Sequence, residues 1–418
     1  MRSTKFPFRL ILILGMIAAA IVSSGLPAAA QQDGVLHSFQ NNGKDAAYPR
    51  AGVIFDKAGN LYGTSSEGGT YDGGTVYELE PKAGGGWGDT ILYSFQPKMK
   101  YGADLISGLV FDNGGNLYGT TYSGGEHNYG RVFELVPRAS GGWAETMVHL
   151  FNENGTDGFG PLGGVIIDSA GNLYGTTVYG GTGTCFSIGC GTVYELSPRG
   201  NGHWSEKILY NFVNNGTDGV NPYAGLVFDG AGNLYGTTVY GGANGQGTVF
   251  ELSPQADGTW AETIVHTFGS STDYGFPEGL IYAGGNLYGA TANGGSGNGN
   301  IFEFTPLASG GWSEQILYSF TRGDGGNDPG VPGGIVLDAA GNIYDTSAGG
   351  SDLNGTVFEL TPQAGGTWAL NILYEFNDLG TTGAQPIGNL VLDTRGNLYG
   401  TTEYGGNEDA GTVFEVKP

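Results

Sequence analysis

The chain has 418 residues, with 40 Asp plus Glu against 16 Lys plus Arg and a formal net charge of -24. A surface this acidic repels nucleic acid and anionic membranes and tolerates cations or basic partners, while also serving solubility by itself. Glycine supplies 82 residues, a level that by itself suggests disorder, but aromatics make up 12% and recur at regular positions, which points to many short strands joined by tight turns.

The first thirty residues read as a secretory signal peptide. Arg2, Lys5 and Arg9 form a basic start, residues 10–21 an apolar run, and Ala28, Ala29 and Ala30 a small-residue cleavage site, so the mature chain is expected to begin at Gln31. No Cys follows the apolar run, which argues against a lipoprotein anchor, and no later stretch approaches the roughly 20 apolar residues of a spanning helix. The mature protein is expected to be soluble and extracellular or periplasmic, and monomeric.

From residue 31 to 418 one repeat dominates. Gly-Asn-Leu-Tyr-Gly-Thr or a close variant recurs with its Asn at Asn60, Asn116, Asn172, Asn233, Asn286, Asn342 and Asn397, at intervals of 53 to 61 residues. The copy around Asn233 divides into four strands. Gly225, Leu226, Val227 and Phe228 form a short apolar inner strand, and Asp229, Gly230, Ala231 and Gly232 turn the chain. A second strand spans residues 234–238, and a third spans 248–252 and is closed by Ser253 and Pro254. Trp260, Glu262, Ile264, His266 and Phe268 then alternate along a fourth strand. All six tryptophans open such a fourth strand and are read as packing residues.

The last copy stops after its third strand at residues 411–416, whereas Val35, Leu36, His37, Ser38 and Phe39 match the fourth-strand ending Ile316, Leu317, Tyr318, Ser319 and Phe320. The missing strand thus stands at the opposite end of the chain, which predicts an all-β, seven-bladed propeller of four-stranded antiparallel blades, its ring closed by the N-terminal strand. In that arrangement the loops from each fourth strand to the next blade share a face with the loops between strands two and three. The succession Gly-Asn-Leu-Tyr-Gly-Thr-Thr, Tyr-Gly-Gly, Gly-Thr-Val-Phe-Glu-Leu, Trp and Ile-Leu-Tyr-Ser-Phe resembles the GloVer (Gloeo/Verruco) tandem repeat of secreted bacterial proteins, over residues 35–418. The resemblance implies the fold and an exported location and brings no catalytic residues.

Candidate chemistry lies where the repeat is broken or on exposed loops. Cys185 and Cys190, in an insertion between the second and third strands of their copy, are expected to form a disulfide, since a metal site would need further ligands nearby. His37, His149 and His266 stand where other copies carry Tyr93, Tyr210, Tyr318 and Tyr374 and are read as packing, whereas His127 lies with Glu126 and Arg131 in a loop and is a weak catalytic candidate together with Glu126. Asp345 replaces the Gly of Leu-Tyr-Gly-Thr and is the third weak candidate. Glu78 and its six counterparts through Glu415 recur in every third strand and are read as structural.

Interblade loops carry Asp45, Asp104, Asp157, Asp218, Asp273 and Asp328, and the neighbouring loops carry Tyr122, Tyr179, Tyr240 and Tyr404. Together they would make an acidic, aromatic rim able to stack on sugars or hold Ca²⁺, although Asp-Gly pairs also simply shape turns. No EF-hand, phosphate loop, nucleophile elbow or zincin motif is present, and no cofactor is expected. The favoured function is a non-enzymatic scaffold binding a polysaccharide, an envelope component or a protein. The alternatives are an extracytoplasmic lyase or hydrolase and a structural surface protein.

Overall fold

The repeat folds because its turn chemistry and its alternation agree. In the first complete copy Asp56 caps a tight turn: its Oδ1 accepts from the backbone N–H groups of Ala58 and Asn60 at 2.8 and 2.9 Å, and its Oδ2 accepts from the Asn60 amide at 3.1 Å. Gly59 supplies the positive φ of +91° that the turn requires. The tyrosine of the motif then reaches the third-strand glutamate, as Tyr118 does to Glu134 at 2.8 Å and Tyr399 to Glu415 at 2.7 Å. Asn, Tyr, Asp and Glu of the repeat are therefore one hydrogen-bonded cluster, the structural role expected of the recurrent glutamate.

The computed structural model describes residues 34–96, 104–185, 188–269, 275–292, 299–320, 334–347, 354–377 and 381–418. They form seven four-stranded antiparallel sheets, most running from a two-residue inner strand to an outer strand of eight or nine residues. Blade 1 comprises Ile54–Phe55, Leu61–Ser65, Thr75–Pro81 and Trp87–Ser94. Blade 2 runs from Val110–Phe111 to Trp143–Leu150, blade 3 from Ile166–Ile167 to His203–Asn211, and blade 4 from Val227–Phe228 to Trp260–Thr267. Blade 5 runs from Pro277–Ala283 to Trp312–Ser319, blade 6 from Val336–Leu337 to Trp368–Glu375, and blade 7 from Val391–Leu392 through Leu398–Thr402 to Thr412–Val416.

The fourth strand of blade 7 is Gly34–Ser38. Val35 pairs with Phe414 and His37 with Val413, leaving Leu36 bulged; in blade 1 Val76 pairs with Tyr93 and Tyr77 with Ile91, bulging Leu92 in the same way. The two ends of the chain thus complete one blade in the register of the others, and the seven-bladed ring closes. The third strand of blade 4 reaches two residues further than expected, because Pro254 itself ends the ladder opposite Trp260.

Blades adhere through a repeated aromatic contact and a repeated hydroxyl. Phe39 meets Tyr77 at 4.9 Å, Phe95 meets Phe133 at 5.0 Å and Phe376 meets Phe414 at 5.1 Å, each bridging one outer strand to the third strand of the next blade. Tryptophans sit against a tyrosine of the preceding blade, as Trp312 does against Tyr235 at 5.7 Å. Thr64, Thr176 and Thr401 donate to the carbonyls of Ser107, Ala224 and Ala51 in the following blade, the last of these across the ring closure. Phe39, Phe95, Phe151, Phe212 and Phe268 are fully buried, so each junction has a small apolar core of its own.

Candidate functional site

Loops from both sources meet on one face. Gly158–Phe159 pairs with Tyr179–Gly180, Gly219–Val220 with Tyr240–Gly241, and Ala46–Ala47 with Glu67–Gly68, so the interblade loop and the loop between strands two and three are hydrogen-bonded as a miniature sheet. A bridge between Ala384 and Tyr404 repeats this in blade 7. These ribbons hold the aromatic side chains of the face at fixed positions.

Four tyrosines from blades 2 to 4 interact side by side. The Tyr179 hydroxyl interacts with those of Tyr122 and Tyr223, and Tyr240 lies close enough to Tyr223 to influence its ionisation. Burial first, and Tyr179 second, raise the pKa of both Tyr122 and Tyr223, so both remain neutral donors. Tyr223 and Tyr240 are nonetheless 41% and 42% exposed, which leaves ring surface open to solvent. Phe159 packs against Tyr179 at 5.5 Å and Tyr129 at 5.0 Å, and Phe276 against Tyr240 at 5.5 Å, extending the belt in both directions. His127 and Glu126 are exposed at its outer edge, with His127 6.2 Å from Tyr129.

The disulfide between Cys185 and Cys190 is present and braces this region. Both cysteines are buried, the Ile188 carbonyl accepts from Gly180 N–H, and the Cys190 carbonyl accepts from Asn221 N–H. The insertion therefore supports the Tyr179 loop and the loop that carries Tyr223. Tyr223 escapes a reading of the sequence because its loop position is not tyrosine in other copies.

Other predicted rim residues have different surroundings. Tyr404 faces Tyr48 at 5.7 Å and interacts with Glu403 and Arg50, which form an ion pair at 2.7 Å, so it stands apart from the belt. Asp45, Asp157 and Asp218 are buried and turn inward: Asp218 accepts from the N–H groups of Val213 and Gly219 at 2.8 and 2.7 Å and from the Tyr210 hydroxyl at 3.1 Å. Asp104 is not their counterpart. It is exposed at φ +58°, like Tyr48 and Asn221 at the same point of their loops, and accepts from Ser123 at 2.6 Å. Asp273 and Asp328 lie outside the described residues. Arg131, expected in the loop with His127, instead opens the third strand of blade 2, 1% exposed and paired with Glu145 at 2.8 Å.

Blades 5 and 6 carry the sharpest departure from symmetry. Asp345 is fully buried; its Oδ1 accepts from Thr346 N–H at 2.7 Å and its Oδ2 has no hydrogen-bond partner. Burial pushes its carboxyl up to about 7. Glu278 receives the Thr237 hydroxyl on its carbonyl at 2.8 Å, the place held by Ser107, Ala224 and Ala51 at other junctions, so a glutamate stands where those copies have a small residue. As a residue Glu278 is only half-buried, yet protein crowds its carboxyl, and that burial together with the nearby Asp345 charge raises its pKa well above the carboxylate range. Glu278 follows Phe276, the end of the tyrosine belt, by two residues. Blade 5 has a tighter first turn, Gly284 and Gly285 at φ +61° and +94° between Ala283 and Asn286, and this shift hides the equivalence of Glu278 from residue counting.

The family model of the Gloeobacter/Verrucomicrobia repeat matches residues 25–212 and 144–346. No curated protein sequence matches the chain. Among solved structures, a polysaccharide lyase of family PL25, an ulvan lyase, is similar at 11% identity and a TM-score of 0.52 over 92% of this chain and 95% of that one. A putative oxidoreductase (glucose dehydrogenase) from Thermus thermophilus is similar at 14% identity and a TM-score of 0.41 over 74% and 96%, and a luciferin-regenerating enzyme at 14% and 0.38 over 75% and 91%. At these identities the likeness is one of fold alone.

Proposed function

The chain belongs to the Gloeobacter/Verrucomicrobia repeat family, and from that premise we propose that it is an exported, non-enzymatic scaffold that binds polysaccharide on its tyrosine-bearing face. The observation that carries this reading is the linked set Tyr122, Tyr179, Tyr223 and Tyr240, in which interacting phenols occur together with the exposed rings of Tyr223 and Tyr240. Sugar rings present axial C–H groups to aromatic faces and hydroxyls to phenols, so a fixed belt of tyrosines suits an extended glycan better than a small charged ligand. The acidic character of the chain favours neutral or cationic glycans over sulfated ones. Export through the N-terminal segment accords with a Cys185–Cys190 disulfide, which persists in oxidising compartments. Titration against neutral and acidic polysaccharides tests the proposal: Tyr179→Ala with Tyr240→Ala is expected to weaken binding at least tenfold without lowering the melting temperature by more than a few degrees. Absence of binding to every glycan and envelope extract would remove the reading.

A second reading, an extracytoplasmic lyase or hydrolase, is favoured by one observation, the Glu278 carboxyl, two residues past Phe276 and close enough to the buried Asp345 to feel its charge. Burial raises the pKa of both carboxyls, that of Asp345 to about 7, so that partly exposed Glu278 would act as acid or base toward a bound sugar, with fully buried Asp345 behind it. His127 and Glu126 are the outlying candidates of that reading. Polysaccharide turnover lost in both Glu278→Gln and Asp345→Asn would establish it, and turnover unchanged in both would exclude these two groups.

A further inference from the structure

Three side chains at the junction of blades 2 and 3 converge without satisfying one another. His149 is on the outer strand of blade 2, Glu206 on that of blade 3, and Asp157 in the loop between. The imidazole Nε2 lies 3.3 Å from Glu206 Oε1 and 3.6 Å from Asp157 Oδ2, and the three ligand atoms all lie within 4.8 Å of one another. His149 Nε2 and Glu206 Oε1 are buried and make no hydrogen bond of acceptable geometry. Asp157 is 5% exposed, and its Oδ2 also accepts from Asn152 N–H at 2.9 Å, which fixes the carboxylate in place.

Neighbouring junctions show what such a position needs. Between blades 1 and 2 the equivalent glutamate, Glu145, faces the buried guanidinium of Arg131, a cation supplied by the protein. Blade 3 has Thr192 at the strand position of Arg131, so no guanidinium reaches Glu206. Between blades 3 and 4 Tyr210 stands in place of His149 and donates to Asp218 at 3.1 Å. The junction of blades 2 and 3 thus combines two carboxylates with an imidazole and has neither the guanidinium nor the phenol.

We propose that His149, Asp157 and Glu206 bind one divalent transition-metal ion, Zn²⁺ by donor chemistry, as a staple between blades 2 and 3. Ligands about 2.0–2.2 Å from a tetrahedral ion stand roughly 3.3–3.6 Å apart, which matches the two separations from the imidazole to the carboxylates. One imidazole nitrogen with two carboxylate oxygens is a borderline donor set that suits zinc over calcium. The side chains of His149 and Glu206 are 18% and 20% exposed, so the cluster lies near the surface although its ligand atoms are buried. His37, Asp45 and Asp89 repeat the pattern where blade 7 meets blade 1, but Asp89 is exposed, so the first cluster is the tighter one.

The test uses tag-free, chelator-treated protein titrated with Co²⁺ and Zn²⁺, read by visible ligand-field absorbance, metal stoichiometry and melting temperature. Wild type is expected to take up an ion with a visible cobalt band that Zn²⁺ displaces, and to melt a few degrees higher when loaded. His149→Tyr installs the residue that the next junction already uses, and is expected to bind one ion fewer per chain while keeping the apo melting temperature. Glu206→Gln, nearly isosteric, is expected to weaken binding at least tenfold and guards against a folding defect in the first variant. No metal uptake by wild type, or equal stoichiometry and affinity in wild type and both variants, overturns the proposal.

Discussion

In blade 4 the residue between Tyr235 and Thr237 is Gly236, where an added methyl would meet the Phe250 ring at 2.5 Å; in blade 6 the same position is Asp345, buried with one carboxyl oxygen unpaired. Blades 2 to 4 keep glycine at this position and carry Tyr122, Tyr179, Tyr223 and Tyr240 on loops of the rim. Blades 5 and 6 change residues inside the repeat, Glu278 and Asp345, and accept buried carboxyl groups. A rim is free to vary because it bears no junction, whereas a change within a junction strains the ring and persists only where something compensates. The comparison separates exposed aromatic side chains on the loops from a pair of carboxyls buried inside the repeat.

Both regions depend on one closed ring, so the largest effect belongs to closure. Removing residues 34–39 would leave blade 7 without its outer strand and strip fully buried Phe39 from Tyr77. A loss of more than about 5 kcal/mol is expected, enough to abolish cooperative melting near its normal temperature; an unchanged melt would count against closure.

The next effect tests the strain in blades 5 and 6. Asp345 holds its proton up to about 7 in the folded chain and ionises near 4 when unfolded. Between those values the folded state binds the extra proton, so stability falls as pH rises from about 4 through 7, and the full penalty is present above pH 7. Glu262, pushed up to about 7 chiefly by burial, acts in the same direction. Melting should therefore be higher at pH 5 than at pH 8, and Asp345→Asn should recover on the order of 4 kcal/mol at pH 8 and only about a third of that at pH 5. Equal gains at both pH values would deny the buried charge.

A smaller effect belongs to the belt. Replacing Cys185 and Cys190 by Ser opens a short loop and is expected to cost about 2 kcal/mol. Because that loop supports Tyr179 and, through Asn221, the segment bearing Tyr223, glycan affinity should fall in the same variant while any chemistry of Glu278 and Asp345 persists. Intact affinity after reduction would uncouple the insertion from the site.

The fold was legible because seven copies repeat one motif, because six outer strands open with a tryptophan, and because residues 35–39 match an outer strand missing at the other end. Much of the site was not. Asp104 looks like Asp157 and Asp218 by composition, yet loop lengths differ and only the positive φ that it shares with Tyr48 and Asn221 reveals its true position. Arg131 reads as a loop residue until the register puts it opposite Leu150. Glu278 was hidden by the tighter turn of blade 5, and His149 looked like a packing substitute for tyrosine because the carboxylates it meets are 8 and 57 residues away. Side chains that converge across blade junctions leave no local pattern to find.

The contrast between belt and acid pair is decided most directly by one binding experiment: isotherms for the best-bound polysaccharide with wild type, with Tyr179→Ala plus Tyr240→Ala, and with Glu278→Gln plus Asp345→Asn. Loss of affinity in the tyrosine variant and near-wild-type affinity in the carboxyl variant is the predicted result. Undiminished affinity without the two tyrosines would contradict it.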